Sequence, residues 1–358
     1  MYRNMNPKEP LFGKTLTQLE EVRSLLGLPS YTPKQIARWL YQAHLREIQA
    51  MTDLSKEVRR ILDERYTIGT ALPLHVSTSL DGTRKYLFPP GIESAYIPDR
   101  DRATLCLSTQ IGCKMGCCFC LTGKQGFGGN LSPREILNQY ESLPERDKVT
   151  NFVYMGMGEP LDNLDAVLES ITVLTSAWGY GFSPSRITVS TVGILMGIER
   201  FLTESNCHLA LSLHSPFDEE RALLMPIQAR HPLKEVLEVI RSFDLPRQRR
   251  VSFEYIVFEG FNHSSRHVKE LARILQGIRC RINLIRFHAL GESVILGDGR
   301  ALKPASEEQI IQFQELLNRK GIRTTVRRSR GQDIEAACGQ LSTVKLRGNL
   351  YTEPHLFT

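Results

Sequence analysis

No apolar run in the 358 residues approaches the roughly 20 that a membrane span needs. The first 21 residues, MYRNMNPKEPLFGKTLTQLEE, alternate charge with isolated apolar side chains and lack an apolar leader segment, so a cytoplasmic location is expected. The 18 prolines and 26 glycines show no period, and the aromatics thin out nowhere, which excludes collagen-like and largely disordered chains. No short tandem repeat occurs either. With 41% hydrophobic and 23% charged residues, the composition is that of one large globular domain with an appendage.

Charge of one sign is scarce overall, 45 basic against 39 acidic side chains, yet it is uneven. Residues 1–90 hold 13 basic and 9 acidic groups, and residues 321–350 hold six basic and two acidic. Two basic segments at opposite ends of a chain are either solvated faces or the two halves of a polyanion surface.

Disulfide spacing is absent as well. Of the eight cysteines, four fall inside the run CKMGCCFC, residues 113–120, where neighbouring thiols lie too close for unstrained disulfides. Zinc sites bring two well-separated pairs, and there is no second pair here. Cys113, Cys117 and Cys120, spaced C-x3-C-x2-C, instead suit three irons of a 4Fe-4S cubane and leave the fourth iron open to a ligand. Cys118 adjoins Cys117 and is expected to point elsewhere as a small buried hydrophobe.

Strand-like runs at 151–157, 186–191, 208–214, 251–258, 281–287 and 323–328 alternate with helical periodicities such as 164–177 and 265–278. That order predicts βα repeats and a parallel sheet. The first 90 residues differ. Helical patterns lie near 17–26, 33–46 and 54–65, followed by strand-like HVSTSL and RKYLF.

A phenylalanine, Phe119, precedes the last cysteine of the motif, and the motif resembles that of the radical S-adenosylmethionine superfamily. TLCLSTQIGCKMGCCFCLTGKQGF, YMGMGEPLDN, ITVSTVG, LALSLHSP and RGQDIEAACGQL follow in the order seen in the RlmN/Cfr family of RNA methyltransferases, and YTPKQIARWLYQ and MTDLSKEVRRIL extend the resemblance to the N-terminus. It implies an α/β fold, a partial (βα)6 radical SAM barrel with a small helical accessory domain. The expected divisions are an RNA-binding domain at 1–92, the barrel with its catalytic loop at 93–340 and a tail at 341–358.

The resemblance also implies cofactors and roles. Cys113, Cys117 and Cys120 are the metal ligands, and the open iron chelates S-adenosylmethionine and cleaves it to a 5′-deoxyadenosyl radical. Such chemistry suits adenine carbons 2 and 8, which have no lone pair for ordinary methyl transfer. Cys338 matches the methyl carrier, Cys106 the thiol that resolves the protein–RNA link, and Glu93 a proton acceptor whose alternative is a solvated strand-edge carboxylate. Gly158, Glu159, Ser190, Ser212, Leu213 and His214 match cofactor-binding positions, with glycines 156 and 158 expected to let the backbone approach the ligand. A core role is the alternative for His214. His288 stands at a further cofactor-binding position where the family commonly has asparagine; it too offers a donor and an acceptor, so nucleotide binding is expected to survive, and the change marks a divergent branch.

The implied substrates are an adenosine of large-subunit ribosomal RNA, methylated at carbon 2, and a related adenosine in tRNA. Flavodoxin or ferredoxin is the implied electron donor, and the chain is expected to be a monomer. The alternatives are carbon 8 methylation, a radical enzyme acting on a non-RNA substrate, and a zinc-binding RNA module without catalysis.

Overall fold

The computed structural model describes residues 8–288 and 293–342. The tail beyond 342, with Lys345 and Arg347 of the basic C-terminal segment, lies outside the described residues. Two compact units divide the chain, one made of residues up to 73 with 131–147 and 165–183, the other of 74–130, 148–164 and 184 onward.

The first unit is mainly helical. Thr15 and Gln18 form a reciprocal capping box that starts helix Leu16–Leu26, and Gly27 ends it in the left-handed region. Helices Thr32–Tyr41 and Lys56–Arg65 follow. The pattern expected at 33–46 stops at Tyr41 because His44 takes a positive φ of 56°, which a helix cannot accommodate. A two-stranded parallel pair, Glu9–Pro10 with Tyr66–Thr67, ties the ends of this stretch together.

The second unit is built on one ten-stranded sheet. Its strands are β1 (His75–Thr78), β2 (Arg84–Phe88), β3 (Ile92–Asp99), β4 (Arg102–Cys106), β5 (Asn151–Tyr154), β6 (Ile187–Thr191), β7 (His208–Ser212), β8 (Val251–Val257), β9 (Cys280–Arg286) and β10 (Thr324–Val326). They lie side by side in chain order. β1 to β4 pair antiparallel, and β4 to β10 pair parallel. The expected partial barrel is present, with one more parallel strand than the periodicity predicts. β4 escapes notice because RATLC is short, begins on an exposed arginine and carries no run of apolar residues. HVSTSL and RKYLF, grouped by sequence with the N-terminal helices, are hydrogen-bonded into the large sheet through β3.

At the centre, all seven residues of β8 are buried, as covered parallel strands require. Helices such as Leu195–Glu204, Leu233–Ser242 and Ser265–Ile274 supply the crossovers and bury Phe201, Val236 and Leu271. Those connections leave the carboxyl ends of the strands on one side, where barrel enzymes carry their chemistry.

Candidate active site

The cysteine run sits in a loop closed by a short hairpin, Gln110–Gly112 against Phe127–Asn130. Cys113 N donates to Gly126 O at 2.8 Å and Cys120 N to Cys117 O at 3.1 Å, so the loop returns on itself. Cys113, Cys117 and Cys120 all line one cavity of about 140 Å³. Cys118 is half-buried and its N–H is spent on Leu224 O, but its side chain does not line the cavity, as its place beside Cys117 requires.

Burial pushes the Cys113 thiol up to about 12 and raises Cys117 and Cys120, and neighbouring negative groups add to it: Glu159 and Cys120 at Cys113, Cys120 and Cys113 at Cys117, and Cys338 at Cys120. Three buried sulfurs whose ionisation is opposed by burial and by nearby negative groups call for shared positive charge, which iron supplies. Among the described residues no three Cys, His, Asp or Glu side chains converge as they would on a single ion. A cubane asks for something else, one thiolate on each of three irons, and this donor set fits it. Arg221, fully buried, is a residue for which sequence gave no signal. It donates to Val192 O at 2.6 Å and Ser212 O at 3.2 Å, and Cys117 lies within its field.

Strand ends furnish the rest of this cavity. Glu159, 3% exposed, accepts Leu161 N on Oε1 and Val192 N on Oε2, both at 3.0 Å. Burial nevertheless pushes its carboxyl up to about 7, so an ammonium group would be a stabilising neighbour. Ser190, Ser212 and His214 line the same cavity. The His214 ring accepts Ile256 N on Nδ1 at 3.0 Å, packs edge-on against Phe119 at 4.8 Å and is lowered to about 3 by burial and then by Arg221. It is therefore a neutral ring with its proton on Nε2, at the cavity wall and not in the core.

Leu213 is fully buried and does not line the cavity, so only its backbone is near. Glycines 156 and 158 answer to packing. A Cβ on Gly156 would lie 2.6 Å from Ser108 Oγ, and one on Gly158, at φ +95°, 2.5 Å from Gln110 Cβ. The close approach is to the segment 107–110, although both backbones also reach the cavity.

A second cavity, about 260 Å³, brings Cys106 and Cys338 together with Met155, Arg327, His288 and Ser329. Cys338 is exposed and is the one cysteine that lines both cavities among the described residues. Its loop is held at two feet. On one side Asp333 accepts Ser79 Oγ at 2.5 Å and Leu80 N at 3.1 Å, while Gly331 N donates to Asp81 at 2.9 Å. On the other, Leu121 N donates to Gly339 O at 2.8 Å and Thr122 Oγ1 to Leu341 O at 2.6 Å, which seats the loop on the helix that follows Cys120.

Burial, and then the neighbouring Cys338, push Cys106 up to about 12, while Arg327 pulls the other way. Burial pulls the Arg327 guanidinium down, but Glu254 and the two thiols outweigh it. Glu93 is 1% exposed, which removes the solvated alternative. Its carboxylate faces Lys85 Nζ at 3.1 Å and accepts Ser342 N at 2.9 Å, and burial raises it. His288 lies with the paired thiols and not with the cluster cysteines, its Nε2 at 2.8 Å from Ser329 Oγ. Arg327 and Asp333 were legible only as charge and as part of a motif.

Two family models match the chain. A radical SAM superfamily model matches residues 107–273, and a ribosomal RNA large subunit methyltransferase N-terminal domain model matches residues 10–68. The chain is similar to a probable dual-specificity RNA methyltransferase RlmN of Bacteroides thetaiotaomicron, at 50% identity over 96% of this chain and 99% of the relative. The dual-specificity RNA methyltransferase RlmN of Syntrophus aciditrophicus is 42% identical over 94% and 97%. The crystal structure of a radical SAM methyltransferase from Sphaerobacter thermophilus superposes with a TM-score of 0.84 at 36% identity, covering 94% of this chain and 99% of that one.

Proposed function

Because the chain belongs to the RlmN family of radical S-adenosylmethionine enzymes, we propose that it methylates carbon 2 of an adenosine in large-subunit ribosomal RNA and of another in tRNA, with Cys338 as methyl carrier. The cofactors are a 4Fe-4S cluster and S-adenosylmethionine. Bound, they supply a one-electron route to a carbon radical, which can add where no nucleophilic lone pair exists.

Cys113, Cys117 and Cys120 would hold the cluster, and Gly158, Glu159, Ser190, Ser212 and His214 the nucleotide, with backbone from Leu213 and with His288 at the border of the second cavity. The observation that carries the reading is the position of Cys338, which faces the cluster cysteines on one side and Cys106 on the other. A methyl group received on its sulfur is thereby presented to a substrate in the larger cavity. Cys106 is kept protonated by burial, and a thiol is a poor nucleophile until it ionises. Arg327 favours the thiolate form of Cys106, whose attack on the Cys338 sulfur of the product link would form the Cys106–Cys338 disulfide as the sulfur–carbon bond breaks. The electron pair of that bond and one proton complete the methyl group on the freed base. Glu93, raised by burial, is a better proton acceptor than a solvated carboxylate.

The match at 10–68 supports an RNA-binding role for the helical part of the expected 1–92 domain, the residues before the large sheet begins. An extruded adenine is the form of substrate that such a cavity suits. No described helix is long and apolar enough to cross a membrane, which agrees with a cytoplasmic enzyme. We take the enzyme to be a monomer served by flavodoxin or ferredoxin. Mass spectrometry of adenosines from ribosomal RNA and tRNA of cells with and without the protein tests the assignment. The expected result is loss of 2-methyladenosine from both RNAs; a loss of 8-methyladenosine, or no change, overturns it.

A further inference from the structure

The opposite end of the barrel is also chemically uniform. Each of the seven parallel strands opens on a basic or amide side chain: Arg102, Asn151, Arg186, His208, Arg250, Arg281 and Arg323 stand at or beside the first residues of β4 to β10. All but Arg323 line a cavity of about 220 Å³.

The bland account of such arginines is that they cap the carbonyls where helices end. Two neighbours do so. Arg249 donates to Phe201 O, Leu202 O and Cys207 O, and Arg279 to Leu245 O and Pro246 O. Arg102, Arg250, Arg281 and Arg323 do not: among the described residues none of the four closes a side-chain hydrogen bond or an ion pair. Arg186 reaches only Asn151 Oδ1, at 3.5 Å. Glu254, the one carboxylate lining the cavity, already accepts Asn283 Nδ2 at 2.7 Å and Ser252 Oγ at 3.2 Å and faces Arg327 at 3.4 Å.

A second observation comes from a different group. His208 is 8% exposed, and its Nδ1 accepts Arg250 N at 3.1 Å, which leaves the proton on Nε2. That Nε2 is buried without a hydrogen bond of ordinary geometry, and the Ser185 carbonyl gives it only a weak partner. Arg102 and Arg250 are exposed and Arg281 is half-buried, so solvent reaches the site, and an anion there would relieve the repulsion that lowers Arg281 and give the His208 donor an acceptor. We propose that this cavity binds a small oxyanion of the phosphate class, held by Arg102, Arg250 and Arg281 with His208 Nε2 as a further donor. The cavity's volume of about 220 Å³ leaves room for several waters. That suits inorganic phosphate, pyrophosphate or one phosphate of a longer chain, not a base or a duplex. The occupant is a free phosphate compound or a phosphate of bound RNA.

The test uses the intact, cluster-loaded protein and inorganic pyrophosphate at constant ionic strength, followed by calorimetry. Saturable binding is expected, weakened about tenfold or more by Arg250→Ala and by Arg281→Ala. Both substitutions should leave iron content unchanged and, without pyrophosphate, should not lower the melting temperature, because each removes a repulsive neighbour. Binding no stronger than that of chloride, or undiminished in the double variant, overturns the site. Competition identifies the source: an RNA phosphate is the occupant if pyrophosphate displaces bound RNA and the variants lose RNA affinity, a free anion if RNA binding is unmoved. No arm measures methylation, so failure here and failure of the methyltransferase assignment are distinguishable.

Discussion

The two ends of the same seven strands have been given opposite electrostatics. At the carboxyl ends, Glu159, His214 and the thiols of Cys106, Cys113, Cys117 and Cys120 are buried toward their neutral forms. At the amino ends, guanidinium groups crowd one another and lower Arg281 and His208 after burial has done so. One end is arranged to receive a cation-bearing nucleotide and a metal cluster, the other to receive an anion. Parallel topology makes this division available, since every strand begins on one side and ends on the other. Glu254, paired with Arg327 midway along the strands, borders both the cluster cavity and the basic one.

Removing the cysteines proposed to hold the cluster should have the largest effect. Cys113→Ala, Cys117→Ala or Cys120→Ala is expected to abolish iron loading and methylation while leaving pyrophosphate binding at the other end intact; iron analysis beside calorimetry checks both. Iron retained at wild-type stoichiometry in all three variants would remove these cysteines from the site.

A smaller loss is expected when one foot of the Cys338 loop is cut. Asp333→Ala should lower methylation kcat about ten- to a hundredfold, since small misplacements of a reacting group carry that cost. Iron content and the Kd for S-adenosylmethionine should stay unchanged, because Asp333 holds the Ser79 turn and touches neither cluster nor nucleotide cavity. A parallel loss of nucleotide binding would mean that the loop supports the cofactor and not the transfer.

Sequence reached the first of these effects more readily than the second. Metal-ligand spacing is local, so C-x3-C-x2-C was legible without a structure, as were the strand runs of β5 to β10: β7 and β8 are almost wholly buried, and β5, β6 and β9 alternate buried with half-buried residues. Asp333 and Ser79 meet across 254 residues, a pairing that no periodicity encodes. His288 shows the same limit: alignment with the family's asparagine pointed to the nucleotide, and the fold turns the side chain toward the paired thiols. Leu213 failed for a simpler reason. It follows the last residue of β7, and its side chain is buried away from the cavity that Ser212 and His214 line. The basic ring at the amino ends was invisible because its members are scattered singly along the chain, and only parallel pairing gathers them.

The smallest effect belongs to acid. His208 is lowered to about 4 by burial, then by Arg250 and Arg281, so its contribution to stability is present above its ordinary value of 6.5 and is lost as pH falls toward 4. Through this group thermal stability should fall by roughly 1 to 3 kcal/mol across that window, and His208→Gln should flatten that part of the curve. His214, which titrates lower and keeps the same sign, remains in the variant as an internal reference. Equal slopes in the two proteins would remove His208 from the crowded end.

The most direct measurement is made on Cys338→Ala, reconstituted with cluster and supplied with S-adenosylmethionine, reductant and RNA, with peptide and nucleoside mass spectrometry on the wild type alongside. The account predicts a methyl group on Cys338 in the wild type before RNA is added, and in the variant a full complement of iron with no methylated adenosine. Methylated adenosine from Cys338→Ala would contradict it.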